Sequence, residues 1–429
     1  MLNGEVRVYG DDRQRIERHS RANPAPPPAS HHSRFWLDLG RPKTVDYRFM
    51  NTPYTRLSRS ILSEEIKAYT IFFSLLFGLW ASHSSLANPG GTLGTPREFH
   101  TATRLLDGRV LVAAGRKDFT PNVTDSAELY DPAINTWSAA GRLNEGREFH
   151  SAVLLLDGRV FVTGGIGFGS NTIDSAELYD PATGRWTFAA SPSSPHFRSD
   201  PVVLSDGKVL VASGRTAEET PSAELYDPVT DTWTSTGDVI HPRSEYHSTL
   251  LFGGKVLIAG GSSQSGLVAE AELYDPATDA FNSTGSLLLP RTGHAQVLLA
   301  NGRVLFAGGA QKKRGKFKVL REAETYDPAT GLWTITGSMR VPRIGFTVNL
   351  LADGRIFAAG GADLSGALAA IEEYDPGVGR WRPLQSALAR ARSNHTTTAL
   401  LNGDLIIAGG VGGNPSVLIP QAELFVGPR

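Results

Sequence analysis

An all-β fold, a seven-bladed β-propeller of four-stranded antiparallel blades, is predicted by two signals repeated along the chain. The first is a hairpin: two β-prone apolar runs joined at Asp107-Gly108, Asp157-Gly158, Asp206-Gly207, Gly253-Gly254, Asn301-Gly302, Asp353-Gly354 and Asn402-Gly403. Such a pair between such runs marks a type I′ turn, which takes positive φ at both central residues. The second signal is a third strand, a turn and a fourth strand, beginning at Ala127, Ala176, Ala223, Ala271, Ala323, Ile371 and Ala422. In the second copy it reads Ala-Glu-Leu-Tyr-Asp-Pro and ends at Trp186. The turn glycines recur every 47–52 residues, the length of one blade.

In chain order, residues 1–49 are polar and proline-bearing with mixed charge, and no periodicity supports a packed element. An uncharged apolar run comes next at 68–81, short for a membrane span and suited to the core of a signal peptide. Ser85-Leu86-Ala87 supplies small residues at the two positions that a signal peptidase reads, so a cut before Asn88 is expected. A leader should open a protein, and Met50 offers that start. Residues 50–87 are then the signal peptide, and 1–49 belong to a mis-assigned start. The alternative keeps 1–49 as an extension ahead of a signal anchor. Either way the chain is expected to be secreted, periplasmic or at the cell surface.

The blades then succeed one another without linkers through 88–429. In blade 1 the strands fall at 100–106, 109–114, 126–130 and 136–139, and the other blades copy this order. Asp180-Pro181 in the second turn suits a type I turn, with the Asp side chain bonding back to the main chain. Blade 7 runs out of chain after its third strand at 421–426. Closure therefore needs a fourth strand from the N-terminus, which would protect an open sheet edge. Residues 88–96 are glycine-rich, so that strand is expected to be short or irregular.

The glycine doublets Gly164-Gly165, Gly260-Gly261, Gly308-Gly309, Gly360-Gly361 and Gly409-Gly410, all but the last followed by a Tyr-Asp-Pro element, with Trp137, Trp186, Trp233, Trp333 and Trp381 closing five of the units, resemble the kelch repeat. The resemblance covers 97–425. Departures are Ala114 and Ser213 for the first glycine, Phe281 for a tryptophan and Phe425 for a tyrosine. No unit ends in the Trp-Asp pair of WD-type propellers.

Composition narrows the function. Lys and Arg total 42 against 43 Asp and Glu, a net charge of −1, which gives no support for nucleic-acid or membrane-surface binding. The chain has no cysteine, so disulfides, thiolate metal sites and cysteine nucleophiles are excluded. So is the tyrosine–cysteine crosslink that copper oxidases similar to galactose oxidase need. No metal-ligand spacing stands out and no cofactor is expected.

Arg97, Arg147, Arg291 and Arg392 each precede a histidine by three residues, His100, His150, His294 and His395; Arg243 precedes His247 by four and Arg343 precedes Phe346. The third strands carry Glu128, Glu177, Glu224, Glu272, Glu324, Glu372 and Glu423. A residue that one ligand demands is needed once, whereas these recur blade by blade. Blade faces are covered on both sides, so the charges are expected to pair with each other or with main-chain groups and weld blade to blade. The tyrosines and tryptophans are assigned to the core between blades, and the glycine doublets to backbone geometry.

Candidate binding residues are therefore sought where the copies disagree. On the innermost strands Arg104, Asp200, Gln296 and Asn349 break a pattern of small residues. The loops after the doublets, at 116–125, 166–174, 215–221, 262–270, 310–322, 362–370 and 411–420, gather on one face of a repeat protein. The fifth carries Lys312, Lys313, Arg314, Lys316, Lys318 and Arg321, a cluster able to attract an anionic polysaccharide or an acidic protein.

Two functions stay open. One is a monomeric binding or scaffold module that engages a protein or glycan. The other is a carbohydrate-active enzyme, similar to sugar epimerases or sialidases, with its site at the central channel. The sialidase Ser-x-Asp-x-Gly-x-Thr-Trp box is absent, and seven units differ from the six-bladed epimerases. Terminal sequencing of the native protein should find Asn88; any peptide from 1–49 would remove the mis-assigned start.

Overall fold

The computed structural model describes residues 88–427, apart from 120–121, 195, 215–220 and 314–315. The upstream segment 1–49, the leader 50–87, Arg314 and most of the third loop thus lie outside the described residues.

Seven four-stranded antiparallel sheets succeed one another. In blade 2 Ser151–Leu154, Val160–Thr163, Ala176–Asp180 and Arg185–Ala189 pair in order. The second strands, Val160–Thr163 and its six counterparts, are buried along their whole length. Neighbouring blades cover both of their faces, which is why they read as unbroken apolar runs. The innermost strands of adjacent blades lie against one another all round, blade 7 on blade 1 included.

The first-hairpin turns differ from the predicted type I′. At Gly158 φ is 89°, but Asp157 keeps a negative φ. Gly158 N–H donates to Leu155 O at 3.0 Å and Leu155 N–H to Arg159 O at 2.9 Å. The loop is therefore Leu156-Asp157-Gly158, a type I turn followed by a left-handed glycine bulge. Aspartate suits it because Oδ1 accepts the Arg159 N–H at 2.9 Å. In the second turn Asp180 Oδ1 accepts Ala182 N–H at 2.8 Å, as expected, and Asp131, Asp227, Asp275, Asp327 and Asp375 do the same.

Blade 7 is closed by Asn88–Thr92, paired antiparallel with Gln421–Phe425 and broken in register between Pro89 and Thr92. The closing strand is short and irregular, as its glycines predict.

The repeated charges pair as expected, but within a blade, and the bond from blade to blade is a main-chain one. Glu177 accepts the main-chain N–H groups of Asn144 and Glu145 at 2.7 and 3.1 Å and Arg147 Nη2 at 2.8 Å, with both charged side chains fully buried. Arg147 Nη1 also donates to Gly164 O and Ser175 O. The carboxylate thus holds the crossover that enters its own blade. The Arg147 carbonyl accepts the Gly115 N–H of the preceding blade at 2.7 Å, which carries the link across the junction. Glu128, Glu272, Glu324, Glu372 and Glu423 repeat the triple acceptance.

Blade 3 uses His196 instead of arginine. Its Nδ1 lies 2.6 Å from Ser213 O and its Nε2 2.9 Å from Glu224 Oε2, the two acceptors that an arginine meets in the other blades. The tryptophans also span junctions: Trp137, Trp186, Trp233 and Trp333 donate their indole N–H to Gly90, Ala140, Ala190 and Gly285 carbonyls of the preceding blade.

Removing one member of a buried pair strands the other charge. Glu177→Gln should therefore cost about 3–5 kcal/mol, read as a lowered denaturant midpoint. A loss under about 1 kcal/mol would show that the weld is not holding the crossover.

Candidate functional site at the channel mouth

The crossovers and the long loops meet at one end of the ring. Isolated bridges tie Glu98 to Arg116, Glu148 to Ile166, Ser244 to Ser262, Thr292 to Ala310, Ile344 to Ala362 and Ser393 to Val411. The loops from blades 1, 2, 5, 6 and 7 expose Phe119, Phe168, Phe317, Leu364 and Val417 at this end.

Two residues after each weld arginine, or after His196, the chain takes a left-handed conformation. Phe99, Phe149, Arg198, Glu245, Gly293, Gly345 and Asn394 have φ of 53, 53, 54, 58, 58, 60 and 54°. Main-chain bonds link them around the ring: Phe149 N–H to Phe99 O, Glu245 N–H to Arg198 O, Gly345 N–H to Gly293 O, and Asn394 N–H to Gly345 O. Ring geometry imposes the conformation, and glycine would meet it without strain. Five positions nevertheless carry side chains, at a cost of about 1–2 kcal/mol for most residue types.

Those side chains form a collar. Phe99 and Phe149 lie 4.0 Å apart between ring centroids. Arg116 covers Phe99 at 4.9 Å, and Arg198 covers Phe149 at 4.2 Å. Glu98 accepts Arg116 at 2.7 Å and Asn394 Nδ2 at 2.9 Å; Glu245 pairs with Arg198 and accepts Thr292 Oγ1 at 2.7 Å. Glu148 is buried and meets Arg116 Nε only at 3.6 Å, and its Oε2 accepts no hydrogen bond among the described residues. Burial pushes its carboxyl above the usual range, with Arg116 opposing and Glu98 reinforcing the rise. Blades 5 and 6 contribute bare glycine, and the side chains of Ile344 and Asn394 take the space that a Cβ on Gly293 or Gly345 would need.

The candidates on the inner strands stitch neighbouring blades. An innermost strand has one unpaired edge, whose polar groups need partners. Arg104 Nη1 donates to Ala399 O at 2.8 Å, Gln296 Nε2 to Ser248 O at 2.7 Å, and Asn349 Nδ2 to Thr397 O at 3.2 Å. Asp200 Oδ2 accepts Ser248 N–H at 2.7 Å and faces His247 Nδ1 at 3.3 Å. Gln296 Oε1 and Asn349 Oδ1 accept nothing among the described residues. Asp200 therefore meets a histidine rather than an arginine. Desolvation opposes charge on His247, but Asp200 and the His294 carbonyl raise its pKa overall.

The basic loop stands apart as a hairpin, Ala310–Lys313 with Lys316–Val319. Lys312 and Lys316 are exposed there, and Lys318 pairs with Glu322 at 2.9 Å. Lys313 lies on the first strand of that hairpin.

Sequence reading overlooked the collar because its residues sit inside a repeated phrase. The signal was present: that one column reads Phe, Phe, Arg, Glu, Gly, Gly, Asn, and two glycines among large side chains betray a positive φ.

Residues 149–193 match the family model for the kelch motif. An 88-residue stretch, 20% of this chain, is 36% identical to Kelch-like protein 26 of Danio rerio, of whose length it spans 14%. Among solved structures, a fungal alcohol oxidase of the AA5 family in complex with copper is similar in fold, with TM-score 0.65 and 19% identity over 80% of this chain and 76% of that one.

Burial, the leading cause, holds His100 down to about 3 and His150, His294 and His395 well below the ordinary histidine range. The rings are neutral when folded, while the unfolded chain takes protons below about pH 6.5. Stability is therefore complete above that pH and lost progressively as pH falls below it, toward about 3 for His100. His150→Phe, copying Phe346 of blade 6, should flatten this acid limb in melting curves between pH 7 and 4. An unchanged slope would refute the neutral ring.

Proposed function

We propose that this chain, a β-propeller of kelch repeats, is a binding module that holds a protein or glycan ligand on its loop face, over the channel mouth. The observation that carries this reading is the collar. Side chains persist at five positions where the backbone favours glycine, and they differ from blade to blade. Strain kept by one chain at variable positions points to a task outside the fold. The exposed apolar tips around it suit the centre of a protein interface, where aromatic and arginine anchors dominate. Lys312 and Lys316 offer positive charge for an anionic rim. Kelch propellers generally bind proteins, so a protein is the first expectation and a glycan the second.

The copper of the fungal oxidase does not fit these residues. The chain lacks cysteine, and among the described residues no three His, Asp or Glu side chains gather to hold an ion. His100, His150 and His395 each direct Nε2 at a threonine hydroxyl. Export is part of the proposal, supported by the apolar run at 68–81 and the small residues before Asn88.

The test is a screen of the native protein against protein and glycan libraries, repeated with Phe149→Ala/Arg198→Ala. That variant should weaken any true ligand at least tenfold. Leu156→Ser, on an exposed hairpin at the opposite end, should leave affinity unchanged. Equal binding by the collar variant would overturn the assignment, and sugar turnover without stable binding would favour the enzyme.

A further inference from the structure

The first residue of the innermost strand holds one register position in six blades, opposite Ala113, Thr163, Ala259, Ala307, Ala359 and Ala408. Five blades place Thr101, Ser151, Ala295, Thr347 or Thr396 there, whereas blade 4 places His247. In blades 1, 6 and 7 the threonine hydroxyl meets Nε2 of a buried histidine in the next blade. Thr101 lies 3.0 Å from His150, Thr347 3.2 Å from His395 and Thr396 3.0 Å from His100. A hydroxyl both donates and accepts, so it suits a neutral ring in either tautomer. Blade 4 breaks this arrangement. His247 stands edge-on to His294 of blade 5, with ring centroids 4.9 Å apart, and neither nitrogen of His294 has a partner among the described residues.

His247 bridges three blades instead. Its Nδ1 lies 3.3 Å from Asp200 Oδ2 of blade 3, and its Nε2 lies 3.0 Å from the His294 carbonyl of blade 5. A carboxylate and a carbonyl both accept. A neutral imidazole has one N–H and would turn a lone pair on one of them, so only the imidazolium bonds at both ends. Among the described residues, the titratable side chains that face this ring from neighbouring strands are Asp200 and His294. On its own strand Tyr246 is buried, with its hydroxyl donating to Ala212 O. Blade 3 has the most need of such a bridge, because its innermost strand pairs over Val202–Val203 alone.

We propose that a proton on His247 clasps blades 3, 4 and 5 along the channel wall, and that this arc of the ring is a pH-sensitive joint that loosens when the proton leaves. Asp200 and His247 side chains each remain 37% exposed, so the proton exchanges with solvent without the blades parting. Burial opposes the charge, but Asp200 and the His294 carbonyl outweigh it and raise the ring above the ordinary histidine value of about 6.5. The stability that the clasp contributes is therefore complete below that pH and lost as pH rises through the folded value. That is the reverse of the slope set by His100, His150, His294 and His395.

The experiment follows the His247 ring by histidine-ring NMR of the native protein between about pH 5 and 9. Loss of the signal in His247→Thr, which copies Thr101, assigns it; if that variant does not fold, His247→Gln serves. Expected are an imidazolium at about pH 6.5, with its midpoint above that value, and a midpoint lower by about one unit or more in Asp200→Asn. The melting temperature of the native protein should exceed that of the His247 variant by a margin that shrinks as pH rises. A ring already neutral at about pH 6.5, a midpoint that Asp200→Asn leaves in place, or a margin that does not change with pH would each overturn the clasp.

Discussion

The carboxylate at the centre of each third strand is the constraint on which this ring depends. A blade is a sheet with both faces covered, so its stability comes from contact with neighbours, and the chain must leave one blade and enter the next without exposing the crossover. Glu177 and five of its six counterparts solve this by accepting two successive main-chain N–H groups of the crossover and one guanidinium, while Glu224 accepts Ser193 N–H and faces His196. Each arginine then passes the link on, with its side chain in its own blade and its carbonyl bound to the glycine of the blade before. A buried ion pair is by itself weak evidence for stability. Here it also satisfies main-chain donors that have no strand to pair with, so its loss exposes several groups together.

That weld dictates the path of the chain beyond it. With the arginine fixed, the crossover must turn into the innermost strand within three residues, and the left-handed residue two positions later makes that turn. In blades 1, 5, 6 and 7 the next residue is a histidine or phenylalanine laid on the first doublet glycine of the preceding blade, whereas blade 3 has Ser199 there. A Cβ on Gly260 would collide with His294 Cε1. Arginine, collar residue, ring and doublet glycine are thus one device. The collar position varies most, from phenylalanine to arginine, glutamate and asparagine, while Gly293 and Gly345 are held small by Ile344 and Asn394.

The fold was legible because its signals are local and repeated. Hairpin glycines, Asp-Pro turns and apolar second strands each arise from short-range chemistry, and the symmetry of Arg and Glu exposed them as construction. The turn type was misjudged because Asp-Gly suits two loop lengths, and the choice falls to a side-chain bond, Asp157 to Arg159 N–H, that composition does not reveal. His196 escaped because it replaces arginine in function but not in type. Arg104, Gln296, Asn349 and Asp200 stand out in the sequence as breaks in a small-residue pattern, but their stitching of strand edges depends on the neighbouring blade. Sequence separations of 47–48 residues for Asp200, Gln296 and Asn349, and 295 for Arg104, put those partners beyond local reading.

Closure explains why one junction differs from the rest. A ring made from a linear chain has one seam, where a strand from the N-terminus must complete the last blade. That strand belongs to no repeat and escapes the repeat's requirements. Asn88–Thr92 carries proline and two glycines, breaks register after Pro89, and contributes no ring. The seam is nevertheless sealed on its other side: Trp137 of blade 1 donates to Gly90 O, Arg104 to Ala399 O, and Gly410 N–H to Arg97 O. Blade 7 is therefore held to blade 1 by the same kinds of bond that join other neighbours, and the deficit falls wholly on its junction with blade 6. The one junction whose described cluster lacks a fourth-strand aromatic ring is thus placed by topology, where the sequence departs from its own repeat.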